Sequence, residues 1–447
     1  MVDAARGVAF EVLRAIDDQD AYVNLLLPRL LREHRLDPRD AAFATELAHG
    51  TVRRLGTYDA ILDRTAKQGV ARLDPPVRDV LRLGVHQLLS MRVPSHAAVS
   101  TSVDLVRRVV GHRPASFVNA VLRKVSQADL EEWTRRVAPS RTTDVVGHLS
   151  VVHSHPRWVV EALRDALGDT SQALDATALL LAADNDAPGV TLVARPGLST
   201  VEELGDDDST PGRWSPYAVH LGGGDPGRSA AVREHRAGVQ DEGSQLVALA
   251  LAAAPLDGDD AAWLDLCAGP GGKAALLAAV AGERGAHLVA NEVLEHRAAL
   301  VRQSLELVPT AVVEVGDGRE DVSGGPFDRV LVDAPCTGLG ALRRRPEARW
   351  RRTPDDVPAL VALQTALLDS AWRQVRPGGV VAYATCSPHR DETVGVVEAF
   401  VAGRDDVEVL DATAAVPQVG DLTGPYVQLW PHVHGTDAMF LALLRRR

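Results

Sequence analysis

Three cysteines occur in the 447-residue chain, Cys267, Cys336 and Cys386, and each closes a run that reads as a buried strand. Cys386 follows GVVAYAT, Cys336 follows FDRVLVDAP, and Cys267 follows AWLDL. In open α/β sheets the carboxyl ends of the strands line the ligand crevice. A single cysteine is usually a small buried hydrophobe. Core filling gives no reason for all three to fall on the ligand side of one domain. Cys386, Cys336 and the nearby Asp333 are therefore read as converging on one cleft. Cys267, set inside a glycine turn, is read mainly as packing and backbone shape.

The turn itself is DLCAGPGGK, residues 265–273, between a strand and a helix. Glycines there let backbone approach a ligand, and the helix start offers free N–H groups. The pattern is not GxGxxG, and no GxxxxGK[ST] occurs because Ala274 follows Lys273. Glu292 closes the next strand, where an acid accepts both ribose hydroxyls of an adenosine cofactor. Asp317, in GDGR after the third strand, is placed to meet an adenine amine. Two thiols and an acid beside such a cofactor suit one chemistry in particular. A pyrimidine C5 is a poor nucleophile, but a thiolate added at C6 makes it enamine-like. The site must favour the thiolate, and an acid beside the ring can hold N3 and the exocyclic amine. The C5 proton and the thiol must then leave, a step that a second cysteine fits.

These residues need a frame. Residues 236–447 alternate strands with helices, which means an α/β domain with a mostly parallel sheet. The tail, PYVQLWPHVHGTDAMFLALL, reads as a two-stranded hairpin on the sheet edge. Residues 1–138 read as an all-helical bundle of six or seven helices, with Asp37-Pro38 and Asp74-Pro75 as helix starts. Residues 150–235 read as a small α+β connecting domain ending in Gly-, Pro- and Asp-rich loops. Net charge is −12, which argues against blanket binding to nucleic acid but allows a local basic surface. The cysteines form no CxxC pair, so neither a disulfide framework nor a metal site is expected. The start is no signal peptide. The longest apolar run, Leu246 to Leu256, falls short of the ~20 residues that span a bilayer. A cytoplasmic protein without membrane contact is expected.

In order and spacing, DLCAGPGGK, GDGR, DAPC and ATCS resemble the RNA cytosine-5 methyltransferases of the Sun/RsmB kind. The helical first third, with FVNAVLR, resembles the NusB-like RNA-binding domain that precedes their Rossmann-like catalytic domain. The resemblance covers essentially the whole chain. It implies S-adenosylmethionine as donor, and as acceptor an unpaired or flipped cytosine of 16S ribosomal RNA, not DNA. It also implies Cys386 as nucleophile, Cys336 in product release, and Asp333 orienting the base and bordering the donor. Cys267, Ala268, Gly269, Pro270, Gly271, Gly272 and Lys273 would wrap the methionine end, with Lys273 also reaching the target base. Glu292 and Asp317 would take ribose and adenine. DNA cytosine methyltransferases attack with the cysteine of the PC motif, so a chain with both cysteines points to RNA. Departures are AGPGG where many members read AAPGG, Glu292 where the acid is usually Asp, and a tail without the frequent aromatic ending, which receives no site residue.

After DAPC the chain reads ALRRRPEARWRR. Arginines contact phosphates and an aromatic stacks on an unpaired base, so Arg343, Arg344, Arg345, Arg349 and Trp350 are expected to touch RNA. Two other readings remain open. One is an RNA-binding ribosome-assembly factor that keeps the cofactor fold without turnover, which loss of either cysteine would have favoured. The other is a dinucleotide oxidoreductase, against which the missing GxGxxG counts.

Overall fold

The computed structural model describes residues 3–168 and 170–447. The chain forms two compact units. One holds the chain up to Asp186 together with Leu342–Arg352, and the other holds Ala187–Ala341 and Thr353–Arg447. The expected division at 138, 150 and 235 is therefore not the observed one. Helices Val145–His153, Arg157–Leu167 and Ser171–Ala183 belong to the first unit, and the small sheet after them belongs to the second. The reason is local. Thr57 Oγ1 donates to the Val151 carbonyl (2.6 Å) and Gly56 N–H to Ser154 Oγ (2.8 Å), which ties Val145–His153 to helix Leu55–Thr65.

Among the described residues before Ala138 the first unit has eight α-helices, not six or seven. Helices Pro38–Arg53 and Leu55–Thr65 are parted only by Arg54, with no Gly or Pro at the break to announce it. Asp37 caps its helix by accepting the Asp40 N–H at 2.9 Å. Asp74 stands in the same position before Pro75, but its side chain makes no capping hydrogen bond. Helix Pro75–Leu89 runs through the middle, with Val80, Leu81, Leu83 and Val85 fully buried beside Tyr58, Ile61, Leu62 and Leu122. Its buried charges are paired: Arg82 forks Asp59 (2.8 and 2.6 Å), and Asp79 accepts from Arg82 and Arg14.

The second unit opens with a small antiparallel sheet, β1 (Thr191–Ala194), β2 (Thr210–Pro211), β3 (Ala218–His220) and β4 (Ala237–Val239), in the order β2-β3-β1-β4. The large sheet comprises β5 (Ala262–Asp265), β6 (His287–Glu292), β7 (Ala311–Val315), β8 (Phe327–Asp333), β9 (Val375–Thr385), β10 (Val407–Leu410), β11 (Val427–Gln428) and β12 (Phe440–Arg446). Its order is β10-β12-β9-β8-β5-β6-β7, with β11 paired to β12. Strands β9, β8, β5, β6 and β7 are parallel. Alternate residues feed two cores on opposite faces, Trp263, Leu331 and Ala382 in one, and Leu264, Val330 and Tyr383 in the other. The tail strand does not lie at the edge as expected. β12 sits between β9 and β10, antiparallel to both. Phe440 to Leu444 are buried in succession, so both faces of the strand are apolar and it belongs inside a sheet.

Strand β5 lies between β6 and β8, and the winding direction reverses there. That topological switch point opens a crevice at the carboxyl ends of β5 and β8. Pairing of Asp265 with Leu331 and of Asp333 with Ala384 sets the ends of β5, β8 and β9 side by side. Both loops that carry Cys336 and Cys386 leave from this edge.

Candidate active site

Cys336 and Cys386 meet at the crevice. Their sulfurs are 3.4 Å apart, and both side chains are half-buried. The hydrogen bond to Cys386, then burial, then the charge of Glu392 push the Cys336 thiol well above its ordinary range. Cys336 is thus a thiol that keeps its proton at neutral pH. Lys273, in the first turn of helix Gly272–Glu283, donates to Asp333 Oδ2 at 2.9 Å. Burial alone would lower the ammonium pKa, but the charge and hydrogen bond of Asp333, and the charge of Cys386, carry it above its usual value. A fixed cation therefore stands near the Cys386 sulfur, the environment that favours a thiolate.

Backbone and one buried carboxylate hold the two cysteine loops. Glu392 is 0% exposed. Its Oε1 accepts from Thr337 N–H (2.8 Å) and Gln364 Nε2 (3.1 Å), and its Oε2 from the hydroxyls of Thr337 and Ser387 (2.7 Å). Gly340 N–H donates to the Cys386 carbonyl at 2.9 Å, and Ala438 N–H to the Gly340 carbonyl at 2.8 Å. A Cβ on Gly340 would stand 2.1 Å from the Ala438 oxygen and 2.8 Å from that of Cys386. The tail, given no role from sequence, thus braces the Cys336 loop. Glu392 lies six residues after Cys386, yet nothing in its spacing marks it as the anchor.

The glycine turn also lies where the sequence placed it. Gly271 is left-handed (φ +115°), and a Cβ there would stand 2.9 Å from Ser304 Oγ. Pro270 and Gly272 are exposed at the turn, whereas Ala268 is buried. Burial raises the Cys267 thiol well above its ordinary range, which fits the packing role read for it. Glu292 is almost fully buried. One oxygen accepts Gly269 N–H (3.1 Å) and the other Leu294 N–H (3.0 Å), with Arg297 3.5 Å away. A carboxylate offers about four acceptor positions, so two remain for a ligand. Asp317 is half-buried, and Arg319 forks it, holding its carboxyl down to about 2. Two acceptors missed in the sequence flank this turn. Asp265 Oδ2 and Gln240 Oε1 are buried and have no hydrogen-bond partner among the described residues. Burial, then the nearby charge of Asp333, push the Asp265 carboxyl up to about 7. Asn291, also missed, donates to the carbonyls of Leu266 (3.0 Å) and Gly316 (3.1 Å) and fixes the neighbouring strand ends.

The arginine run departs from expectation. Leu342–Arg352 belongs to the first unit. Arg349 is 0% exposed and donates to the carbonyls of Ser154 (3.0 Å) and Asp184 (3.1 Å) and to Asn185 Oδ1 (2.9 Å). Trp350 packs on Gly56, where a Cβ would stand 2.5 Å from its ring. Arg343 is buried and Arg344 half-buried. Of the five residues expected to touch RNA only Arg345 is exposed, its guanidinium 5.2 Å from the centre of the Tyr22 ring. Arg349 and Trp350 are corrected to packing residues, because carbonyls and backbone already occupy the faces that phosphate and base would need. Among the described residues no cluster of His, Cys, Asp or Glu is placed to hold a metal ion, and no helix is long and apolar enough to cross a membrane.

Comparison with known proteins bears on the family and the fold. Residues 250–445 match the family described as 16S rRNA methyltransferase RsmB/F, and residues 3–127 match the NusB family. A putative methyltransferase of Mycobacterium tuberculosis is 52% identical over 448 residues, spanning 100% of this chain and 97% of its own. Ribosomal RNA small subunit methyltransferase B of Xanthomonas campestris is 32% identical, spanning 99% and 97%. The crystal structure of PH0851 shares the fold at a TM-score of 0.81 and 22% identity, over 100% of this chain and 99% of that one. The structure of NSun6 from Pyrococcus horikoshii with SFG does so at 0.52 and 17%, over 64% and 98%. With sequence relatives along its whole length and a helical NusB-family domain ahead of the crevice, the chain belongs to the RsmB/F family of 16S rRNA methyltransferases.

Proposed function

We propose that this protein transfers a methyl group from S-adenosylmethionine to C5 of a cytosine in 16S rRNA, through a transient bond between Cys386 Sγ and C6. The observation that carries the reading is the 3.4 Å contact between Cys386 and a Cys336 thiol that keeps its proton, beside the Lys273–Asp333 pair. The cofactor's fit rests on the turn. Buried, unpartnered Asp265 Oδ2 and Gln240 Oε1 suit a cationic amino-acid end, and Glu292 retains acceptor positions for ribose hydroxyls. S-adenosylmethionine supplies an electrophilic methyl group to the crevice.

The chain's own residues do the rest. Lys273 favours the Cys386 thiolate, which adds to C6 and drives electron density toward C5. Asp333, held by Lys273, accepts from the exocyclic amine of the base and fixes the ring for attack by the sulfur. Once C5 is methylated, a water in the crevice takes the C5 proton, the C5–H electrons restore the C5–C6 double bond, the C6–S bond breaks, and its electron pair returns to Cys386. Cys336 donates a hydrogen bond to that leaving sulfur, which is where a second thiol with a raised pKa is useful. The base must be unpaired or flipped to reach sulfur in a crevice.

The test incubates the protein with radiolabelled S-adenosylmethionine and unmodified small-subunit RNA. Label at cytosine C5 supports the proposal. RNA binding without label leaves the assembly-factor reading in its place.

A further inference from the structure

We infer that Glu392 is the positioning residue of the thiol pair: its buried carboxylate joins the loop after β8 to the loop after β9 and so holds Cys336 and Cys386 in contact. The inference deepens the proposed chemistry and rests on it for its consequence in turnover, but the positioning itself is independent of any substrate.

The geometry is specific. Thr337 follows Cys336 directly, and it gives Glu392 both its N–H and its hydroxyl. Ser387 follows Cys386 directly, and it gives its hydroxyl. The two hydroxyls are also 3.0 Å from each other. One carboxylate therefore takes donors from the residue next to each thiol. Gln364, on helix Val357–Gln374, adds a donor from below and a second hydrogen bond to the Pro335 carbonyl at 2.9 Å. Tyr383 Oη donates to the Glu392 carbonyl at 2.7 Å, which fixes the carboxylate's own backbone to β9. A carboxylate buried at 0% exposure is costly unless its acceptor positions are filled. Here four donors fill them, all from segments that carry or support the cysteines. The charged groups that face the thiols are Lys273 and Asp333 from the other side and Glu392 from beneath.

The two loops have no sequence link shorter than the helix between them, so their relative position depends on such cross-bonds. Glu392→Ala leaves Thr337, Ser387 and Gln364 without their acceptor and frees the loops to part. Glu392→Gln keeps more. Its Oε1 still accepts from Thr337 N–H and Gln364, and its amide donates to the two hydroxyls, which turn to accept.

The experiment uses the full chain and reads the thiol directly. Alkylation of Cys386 by iodoacetamide is followed by mass spectrometry across pH, together with kcat and KM for methyl transfer and a thermal melt. Without Cys336 in contact, the Cys386 thiolate loses its hydrogen bond. In Glu392→Ala the alkylation profile should move to higher pH, and the rate at neutral pH should fall about tenfold. Misplacement of about 1 Å should lower kcat about a hundredfold with KM for RNA little changed. Glu392→Gln should recover most of both losses. A lower melting temperature with the wild-type alkylation profile would mean a merely structural acid and overturn the inference, as would a Gln variant no better than Ala. If Glu392→Ala does not fold, Thr337→Val and Ser387→Ala each remove one hydroxyl donor and should shift the profile part-way; no shift in either overturns the inference. If the wild-type protein labels no RNA, the functional proposal fails, while the alkylation arm still decides the role of Glu392.

Discussion

Replacing Arg349 with alanine separates two roles for the arginine run. The guanidinium is fully buried and makes three hydrogen bonds of 2.9–3.1 Å, to Ser154, Asp184 and Asn185. Burial lowers its pKa to about 10, which leaves it charged at neutral pH. Hydrogen bonds from a charged donor contribute ~1.5–3 kcal/mol each. The sum overstates the loss, because removing the cation also removes the cost of having buried it. Breaking such a site on one side costs about 3–5 kcal/mol. With a urea m-value of ~2 kcal/mol per molar, the midpoint for the first unit should fall by roughly 1.5–2.5 M. Hydrogen exchange in helix Val145–His153 reports that unit specifically. RNA binding at several salt concentrations supplies the second arm. Loss of one phosphate contact flattens the slope of log K against log salt by ~0.7–0.9, whereas loss of a packing residue does not. Arg349→Ala with an unchanged urea midpoint and a flatter slope would refute the reasoning. Arg345→Ala is the counterpart, since its side chain is exposed; it should change stability by less than ~0.5 kcal/mol.

The two cysteines, in the roles proposed for them, give a complementary outcome. Cys386→Ala should abolish methyl transfer, while Cys336→Ala should accumulate a covalent protein–RNA species, seen as a retarded band that survives denaturant. Asp265 should make the cofactor-free protein less stable as pH rises. Its folded pKa of about 7 lies above the ordinary 3.8, so its contribution is complete below about pH 4 and is lost through pH 7, on the order of 4 kcal/mol. Thermal melts of Asp265→Asn and wild type should therefore diverge in the variant's favour between pH 4 and 8, and a constant difference would contradict the assignment. Gly340→Ala drives a methyl into the carbonyls of Ala438 and Cys386. It should cost ~1–3 kcal/mol and lower labelling of RNA, measured by melting and by transfer of radiolabelled methyl.

The sequence was most legible where chemistry and topology coincide. Strand ends announced themselves as apolar runs closed by Cys, Asp or Glu, and the structure sets Cys336 and Cys386 in contact there. The helical bundle and the α/β unit were legible from helical spacing and from strand–helix alternation, and the likeness to NusB came from the resemblance that FVNAVLR carries. Long-range partners were not. Arg349 reads as one of a basic run, and nothing in ALRRRPEARWRR says that this segment belongs to the helical unit. Residues 150–235 read as one connecting domain, yet hydrogen bonds from Gly56 and Thr57 tie the end of helix Val145–His153 to the bundle. Gly340 looks like any loop glycine until the Ala438 and Cys386 carbonyls are placed around it.

Position on the sheet edge sets which acids reach the crevice, but neighbours set what each can do. Asp265, Glu292 and Asp333 all stand at the carboxyl ends of parallel strands. Asp265 is buried with one oxygen unpartnered among the described residues, and burial carries its carboxyl up to about 7. Glu292 has each oxygen tied to a backbone N–H, so its orientation is fixed before any ligand arrives. Asp333 is paired with Lys273, on which the charge of Cys386 also acts, so a change at any of the three alters the electrostatics of the others. Three carboxyls in equivalent places thus take three roles because desolvation, hydrogen bonding and charge pairing dominate in turn. Spacing along the chain fixes only the place.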